Sequence, residues 1–157
     1  MNFRQKVRNN YSIGLDDIGY NIYNKYRIYP IFRGDVMGNF EVMFYEKPDG
    51  TKPVEEFLDS LDIKMRAKML KTIVMLKSNG YELREPYSKS LSDGIFELRT
   101  QVGTDITRVL YFFVVGKKAI LTNGFIKKTN KTPPGEIEKA KQYRSEYLSR
   151  EEENQND

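Results

Sequence analysis

The sequence predicts an α+β fold: an antiparallel-rich sheet packed against two N-terminal helices, followed by a C-terminal helix. Three observations carry that prediction. Gly94 to Thr132 reads as three β-strands in series, broken by glycine turns. Two adjacent segments before it, Pro53–Leu61 and Ile63–Ser78, place apolar residues at helical spacing. After Pro133-Pro134 the chain returns to a helical pattern from Gly135 to about Leu148.

In chain order, residues 1–38 read as an N-terminal extension. The run YNIYNKYRIYPIF has no clear helical or alternating period, and Gly34-Asp35 marks a break. A domain is expected over residues 39–148. Asn39–Glu46 alternates, with Phe40, Val42 and Phe44 on one face, and so reads as a strand. Pro48-Asp49-Gly50 is turn chemistry. Pro53 suits a first helical turn, where a missing N–H is not needed. Val54, Phe57, Leu58 and Leu61 then give a short amphipathic helix. Asp62 is placed to cap the second helix, which Asn79-Gly80 ends. Its expected apolar stripe is Ile63, Ala67, Leu70 and Val74, widened by Ile73 and Leu76. Lys64, Lys68 and Lys71 form a basic stripe that reads as a solvated face.

Tyr81–Lys89, with Pro86, reads as a loop. In the next strand, Ile95–Val102, Phe96, Leu98 and Val102 face one way while Glu97, Arg99 and Gln101 face the other. Gly103-Thr104-Asp105 reverses the chain. Thr107–Val115 is almost continuously apolar after Arg108, as a central strand would be. Gly116-Lys117 fits a two-residue type II′ hairpin loop. In the third strand, Ala119 to about Lys128, Asn123-Gly124 predicts a bulge or a close backbone approach. In the last helix Ile137, Ala140, Tyr143 and Tyr147 form a narrow apolar stripe. Residues 149–157 are acidic and lack aromatics after Arg150, so a disordered tail is expected.

Composition restricts the chemistry. The chain has no Cys and no His, which removes thiolate chemistry and both the usual neutral-pH acid/base and the commonest metal ligand. No cofactor or metal site is expected. The longest apolar run, Val109–Val115, falls far short of the roughly 20 residues that span a bilayer, so a cytoplasmic, membrane-free protein is expected. A net charge of +4 favours an anionic partner only modestly, but its distribution is informative. Between Gly94 and Thr132 seven Lys or Arg face only Glu97 and Asp105. A hairpin can bring Arg99 and Arg108 together, and planar guanidinium groups suit bidentate phosphate binding. Lys127 and Lys128 project to opposite faces, so one of them can join the arginines, and Lys131 extends from the following loop. If the anion is RNA, its own 2′-OH can attack the phosphate, and the protein must supply a base, an acid and cations. A lysine among other cations can be such a base, because they lower its pKa. Glu97 is an alternative base, although a Glu beside Arg is more often a salt bridge. Tyr111 and Phe125 read as core.

The segments KSLSDGIFELR, TRVLYFF and LTNGFIKKTNKTPPGEIEKAKQY, in that order, resemble the RelE/ParE toxin superfamily, specifically its phage-derived HigB-like branch. The resemblance spans roughly Phe40 to Tyr147. It implies a RelE-like, microbial RNase-type fold and a toxin of a type II toxin–antitoxin system. It also implies metal-independent cleavage of mRNA on the ribosome, inhibition of translation, and neutralisation by a cognate antitoxin of helix-turn-helix type. By position it implies catalytic roles for Arg99, Arg108 and Lys128, and RNA-binding roles for Lys127 and, as a weaker match, Lys89; Lys131, in the loop that follows, is expected to bind RNA with them. Two departures stand out: Asn123 occupies the place of a His in many relatives, and no Tyr closely follows the Lys127-Lys128 pair. They motivate the alternative of a noncatalytic or gyrase-inhibiting ParE-like toxin, or a degenerate phage regulatory protein.

Overall fold

The computed structural model describes residues 40–157; the expected extension over residues 1–38, its tyrosine-rich run and the break at Gly34-Asp35 lie outside the described residues. Among the described residues the architecture is α+β, with a five-stranded mixed sheet and three α-helices. In chain order the elements are β1 (Glu41–Phe44), α1 (Pro53–Ser60), α2 (Ile63–Asn79), a 3-10 turn (Gly80–Glu82), β2 (Ser88–Ser90), β3 (Phe96–Val102), β4 (Asp105–Val114), β5 (Lys118–Ile126) and α3 (Pro134–Gln155). The spatial order is β1-β5-β4-β3-β2. Strand β1 runs parallel to β5, and the other neighbours are antiparallel.

Local chemistry sets the helices. Pro53 opens α1, and Val54 and Leu58 are its buried residues. An Asp62 carboxylate oxygen accepts from the Met65 N–H at 3.0 Å, the N-cap expected for α2. Gly80 closes that helix at φ 52, a value an L side chain rarely adopts. The α1–α2 corner is held by Arg66, whose Nε donates to the Leu58 carbonyl at 2.8 Å. Its Nη2 reaches the Asp59 and Leu61 carbonyls at 3.0 Å, so one side chain satisfies carbonyls left open where α1 ends.

The strands alternate, and each face carries its own core. On one face Val42, Phe44, Leu98, Val109, Tyr111, Ala119 and Leu121 pack with Val54 and Leu58 of α1 and Met65, Met69, Ile73 and Leu76 of α2. On the other, Tyr45, Leu110, Phe112, Ile120 and Phe125 pack with Ala140, and Tyr143 and Tyr147 of α3 lie against them. The C-terminal half of α3 is clamped to the end of β1. The Tyr45 hydroxyl donates to Glu146, the Tyr45 and Tyr143 rings stack at 4.5 Å, and Arg150 Nη2 donates to the Glu46 carbonyl at 2.6 Å. Burial and the Glu146 carboxylate both push the Tyr45 phenol pKa up, so it stays a donor.

Four sequence expectations need correction. Of the stripe expected on α2, Leu70, Ile73 and Leu76 are buried, but its N-terminal part is not: Ile63 is 79% exposed and Ala67 is also outside, and Met65 and Met69 are buried in their place. This helix has apolar residues on several sides, and the sheet it docks on selects among them. Tyr81–Lys89 is not all loop, since it contains a 3-10 turn and the start of the edge strand β2. The β4–β5 connection spans Val115–Lys117, and both Gly116 (φ 90) and Lys117 (φ 56) are left-handed, unlike a two-residue type II′ turn. Finally, α3 continues to Gln155, so most of the expected disordered tail is helical. Glutamate propagates a helix well once packing has nucleated it. The Asn123-Gly124 expectation is met twice. The β4–β5 register shifts at Leu110/Tyr111, and a Cβ on Gly124 would lie 2.1 Å from Phe57 Cδ1. No helix among the described residues is long and apolar enough to cross a membrane.

Candidate anion-binding site on strands β3 and β4

Register places the basic side chains. Arg99 of β3 and Arg108 of β4 are direct partners, and Glu97 lies opposite Leu110, so all four belong to the α3 face. Lys89 of β2 lies opposite Glu97 and extends the same face. On β5, Phe125 is the partner of Arg108. Beyond Ile126 the chain stays alongside β4 for one more residue, because the Lys127 N–H donates to the Ile106 carbonyl at 2.8 Å. Alternation therefore puts Lys127 on the Phe125 side, next to Arg108, and turns Lys128 away from it.

The polar face of β3 is closed at its centre. Glu97 is 2% and Arg108 5% exposed, while Arg99 is partly open. Glu97 Oε1 lies 3.7 Å from Arg99 Nε and 3.6 Å from Arg108 Nε. Glu97 Oε2 accepts from Thr132 Oγ1 at 2.5 Å, which ties the loop before α3 to the sheet. Arg99 Nη1 also meets Glu85 Oε1 at 3.4 Å, and Arg108 Nη1 donates to the Thr107 carbonyl at 2.9 Å. At 3.6–3.7 Å the carboxylate attracts both guanidiniums without satisfying either Nε–H. Both Nε atoms are buried and have no hydrogen-bond partner. Such orphaned buried donors are uncommon and call for an acceptor.

The charges act on one another. Burial lowers the Arg108 pKa, and Arg99 lowers it further against the opposing pull of Glu97. Lys127 is lowered first by burial, then by Arg108, Arg99 and Lys89, again with Glu97 opposing. Desolvation and neighbouring cations are the two agents that bring a lysine toward proton transfer. The arrangement can hold an oxyanion on two guanidiniums and offer it a lysine with a depressed pKa.

Of the residues singled out from sequence, the structure brings together Arg99, Arg108, Lys89 and Lys127. Lys128 and Lys131 are exposed on the segment beyond β5. Glu97 is a salt-bridge partner, buried under the arginines. Tyr111 belongs to the opposite face, where its hydroxyl meets Ser88 Oγ at 2.6 Å. Phe125 is core. Asn123 is buried and occupied: its Nδ2 donates to Glu136 Oε2 at 2.8 Å and to the Glu136 carbonyl at 3.2 Å, and its Oδ1 accepts from Thr122 Oγ1 at 2.7 Å. It fastens the start of α3 to β5. Sequence reasoning missed Thr132 and Glu85; a Thr just before Pro133-Pro134 and a Glu before Pro86 carry no signal that they will reach β3.

A family model, that of the phage-derived protein Gp49-like (DUF891), matches residues 56–145, more than half of the chain. A search of curated proteins yields no match.

Proposed function

The chain belongs to the phage-derived Gp49-like family, and from that premise we propose that it is the toxin of a type II toxin–antitoxin pair that cleaves mRNA on the ribosome. The observation that carries the reading is the pair Arg99 and Arg108, direct partners across β3 and β4, each with a buried Nε donor lacking an acceptor. A phosphate seated on the partly open Arg99 side of the pair offsets the cationic excess around Glu97. The resemblance of the β3, β4 and β5 segments to HigB-like toxins supports RNA as the source of that phosphate.

Chemistry follows from the same groups. The RNA 2′-oxygen attacks the adjacent phosphorus and the 5′-oxygen leaves, giving a cyclic phosphate and a free 5′-hydroxyl. Arg99 and Arg108 stabilise the charge that builds on the non-bridging oxygens. Lys127 is the proton carrier: its neutral form takes the 2′-hydroxyl proton, and its ammonium can deliver one to the leaving oxygen. This moves to Lys127 the role expected of Lys128. Lys89 extends the cationic track, and Lys128 and Lys131 meet the phosphate backbone outside it. The partners in this reading are the translating ribosome with its mRNA and a cognate helix-turn-helix antitoxin.

Primer extension on translated mRNA tests it. Discrete cuts are expected, and the double variant Arg99→Ala, Arg108→Ala should lose them by a factor on the order of 10²–10³ or more, the cost of removing a transition-state donor. Uncut mRNA with the wild-type protein sinks the reading. The occupied state of Asn123 favours one rival, a noncatalytic ParE-like toxin. For that rival the expected result is intact mRNA together with arrested supercoiling by gyrase.

A further inference from the structure

An exposed aromatic side chain stands next to the arginine pair. Strand β2 is pinned by Ser88, which is 2% exposed and bonded to Tyr111 Oη at 2.6 Å on the α1–α2 side. Side chains alternate along a strand, so Lys89 takes the other face, the one that carries Arg99, while Tyr87 is the last residue of the turn that leads into β2. The ladder locates Tyr87 further. Ser88 pairs with Leu98 and Lys89 with Glu97, and the Arg99 N–H donates to the Tyr87 carbonyl at 2.9 Å. Tyr87 therefore lies opposite Arg99, and opposed residues hold their Cβ atoms about 4.5–5.5 Å apart. Glu85, two residues upstream, reaches Arg99 Nη1 at 3.4 Å and draws this turn toward the site.

Tyr87 is 43% exposed. The aromatics of the opposite face interlock instead: Phe96 stacks on Tyr111 at 5.4 Å, and Phe113 sets its edge against both. Among the described residues no ring stacks on Tyr87. A free π-face one strand spacing from a phosphate-binding guanidinium matches the geometry of a nucleotide, whose base lies beside its phosphate. Single-stranded RNA presents unpaired bases that stack on such rings, largely without regard to sequence.

We propose that Tyr87 is a stacking platform for the nucleobase next to the phosphate held by Arg99 and Arg108. The proposal rests on the phosphate reading of that pair and adds to it a base subsite at the β2 edge. Lys89, two residues further along the chain, then meets the next backbone phosphate.

Fluorescence anisotropy of the full chain with two uncleavable probes tests this: a short single-stranded 2′-O-methyl RNA, and the same oligomer made abasic at its centre. Tyr87→Ala is expected to weaken binding of the intact oligomer by about 5- to 100-fold, the weight of one base–aromatic stack. Tyr87→Phe should bind like the wild type. The abasic oligomer should bind the wild type and Tyr87→Ala equally. Unchanged affinity of Tyr87→Ala for the intact oligomer overturns the platform, and so does an equal loss on the abasic one. The double variant Arg99→Ala, Arg108→Ala should weaken both oligomers. If it weakens neither, the phosphate reading fails and the platform with it; if it weakens both while Tyr87→Ala weakens neither, only the platform fails.

Discussion

The two faces of the sheet are made by alternate residues of the same strands, yet they are finished differently. On the α1–α2 face Leu98, Val109 and Tyr111 are covered by two helices, and the buried polar groups pair off, as Thr100 does with Thr107 at 2.6 Å. On the α3 face one helix covers the apolar end around Leu110, Phe112 and Ile120. Toward the Arg99–Arg108 end, α3 gives way to the loop that holds Thr132, and the strands carry charge in place of apolar residues. The first face is a core. The second is a core that merges into a site, and its buried donors are left without acceptors. Burial here serves two ends: apolar closure for stability, and desolvation that strengthens electrostatics.

Three measurements test that contrast. The largest effect is expected at Lys127. Replacement by Arg keeps the charge but removes any accessible neutral form, so cleavage should fall by about 10²–10⁴-fold, the range for a general base. The pH profile carries the sign. Burial and cations lower the Lys127 pKa, so the neutral, active fraction grows as pH rises toward that lowered pKa and levels off above it. Wild-type cleavage should climb along that limb, and Lys127→Arg should lose the climb. A profile shared by both proteins assigns the proton to another group.

The next effect is on stability. Glu97→Ala leaves Arg108 buried beside Arg99 without its carboxylate, and breaking a buried pair in this way costs about 3–5 kcal/mol. Urea unfolding should show a loss of that size, comparable to truncating a core leucine on the other face, although Glu97 belongs to neither apolar cluster. A loss under about 1 kcal/mol, as for an exposed ion pair, would show that the charged end is solvated and the contrast between the faces is wrong. The smallest effect belongs to the closed face. Gly124→Ala forces a methyl to within 2.1 Å of the Phe57 ring, so overpacking should cost about 1–3 kcal/mol, read as a lower Tm. Cleavage per folded molecule should be unchanged, since Phe57 packs on the face away from the arginines.

Most of the elements and the parity of the strands were legible in the sequence, although β2 read as loop and the end of α3 as a disordered tail. Proline, aspartate and glycine placed the boundaries of α1 and α2 through local backbone chemistry. Alternation in β3 assigned Glu97 and Arg99 to one side, because successive side chains of a strand must point oppositely. What covers each side was settled by the closed fold. It buried Met65 and Met69 of α2 in place of Ile63 and Ala67, turned Lys127 rather than Lys128 toward the arginines, and brought Thr132 and Glu85 onto them. It also buried Glu97 and Arg108 and spent Asn123 on holding α3. The physical reason is range. A turn or a pleat is set by neighbours in sequence, whereas burial and charge coupling depend on groups tens of residues away, whose distances exist only once the sheet and its helices have closed.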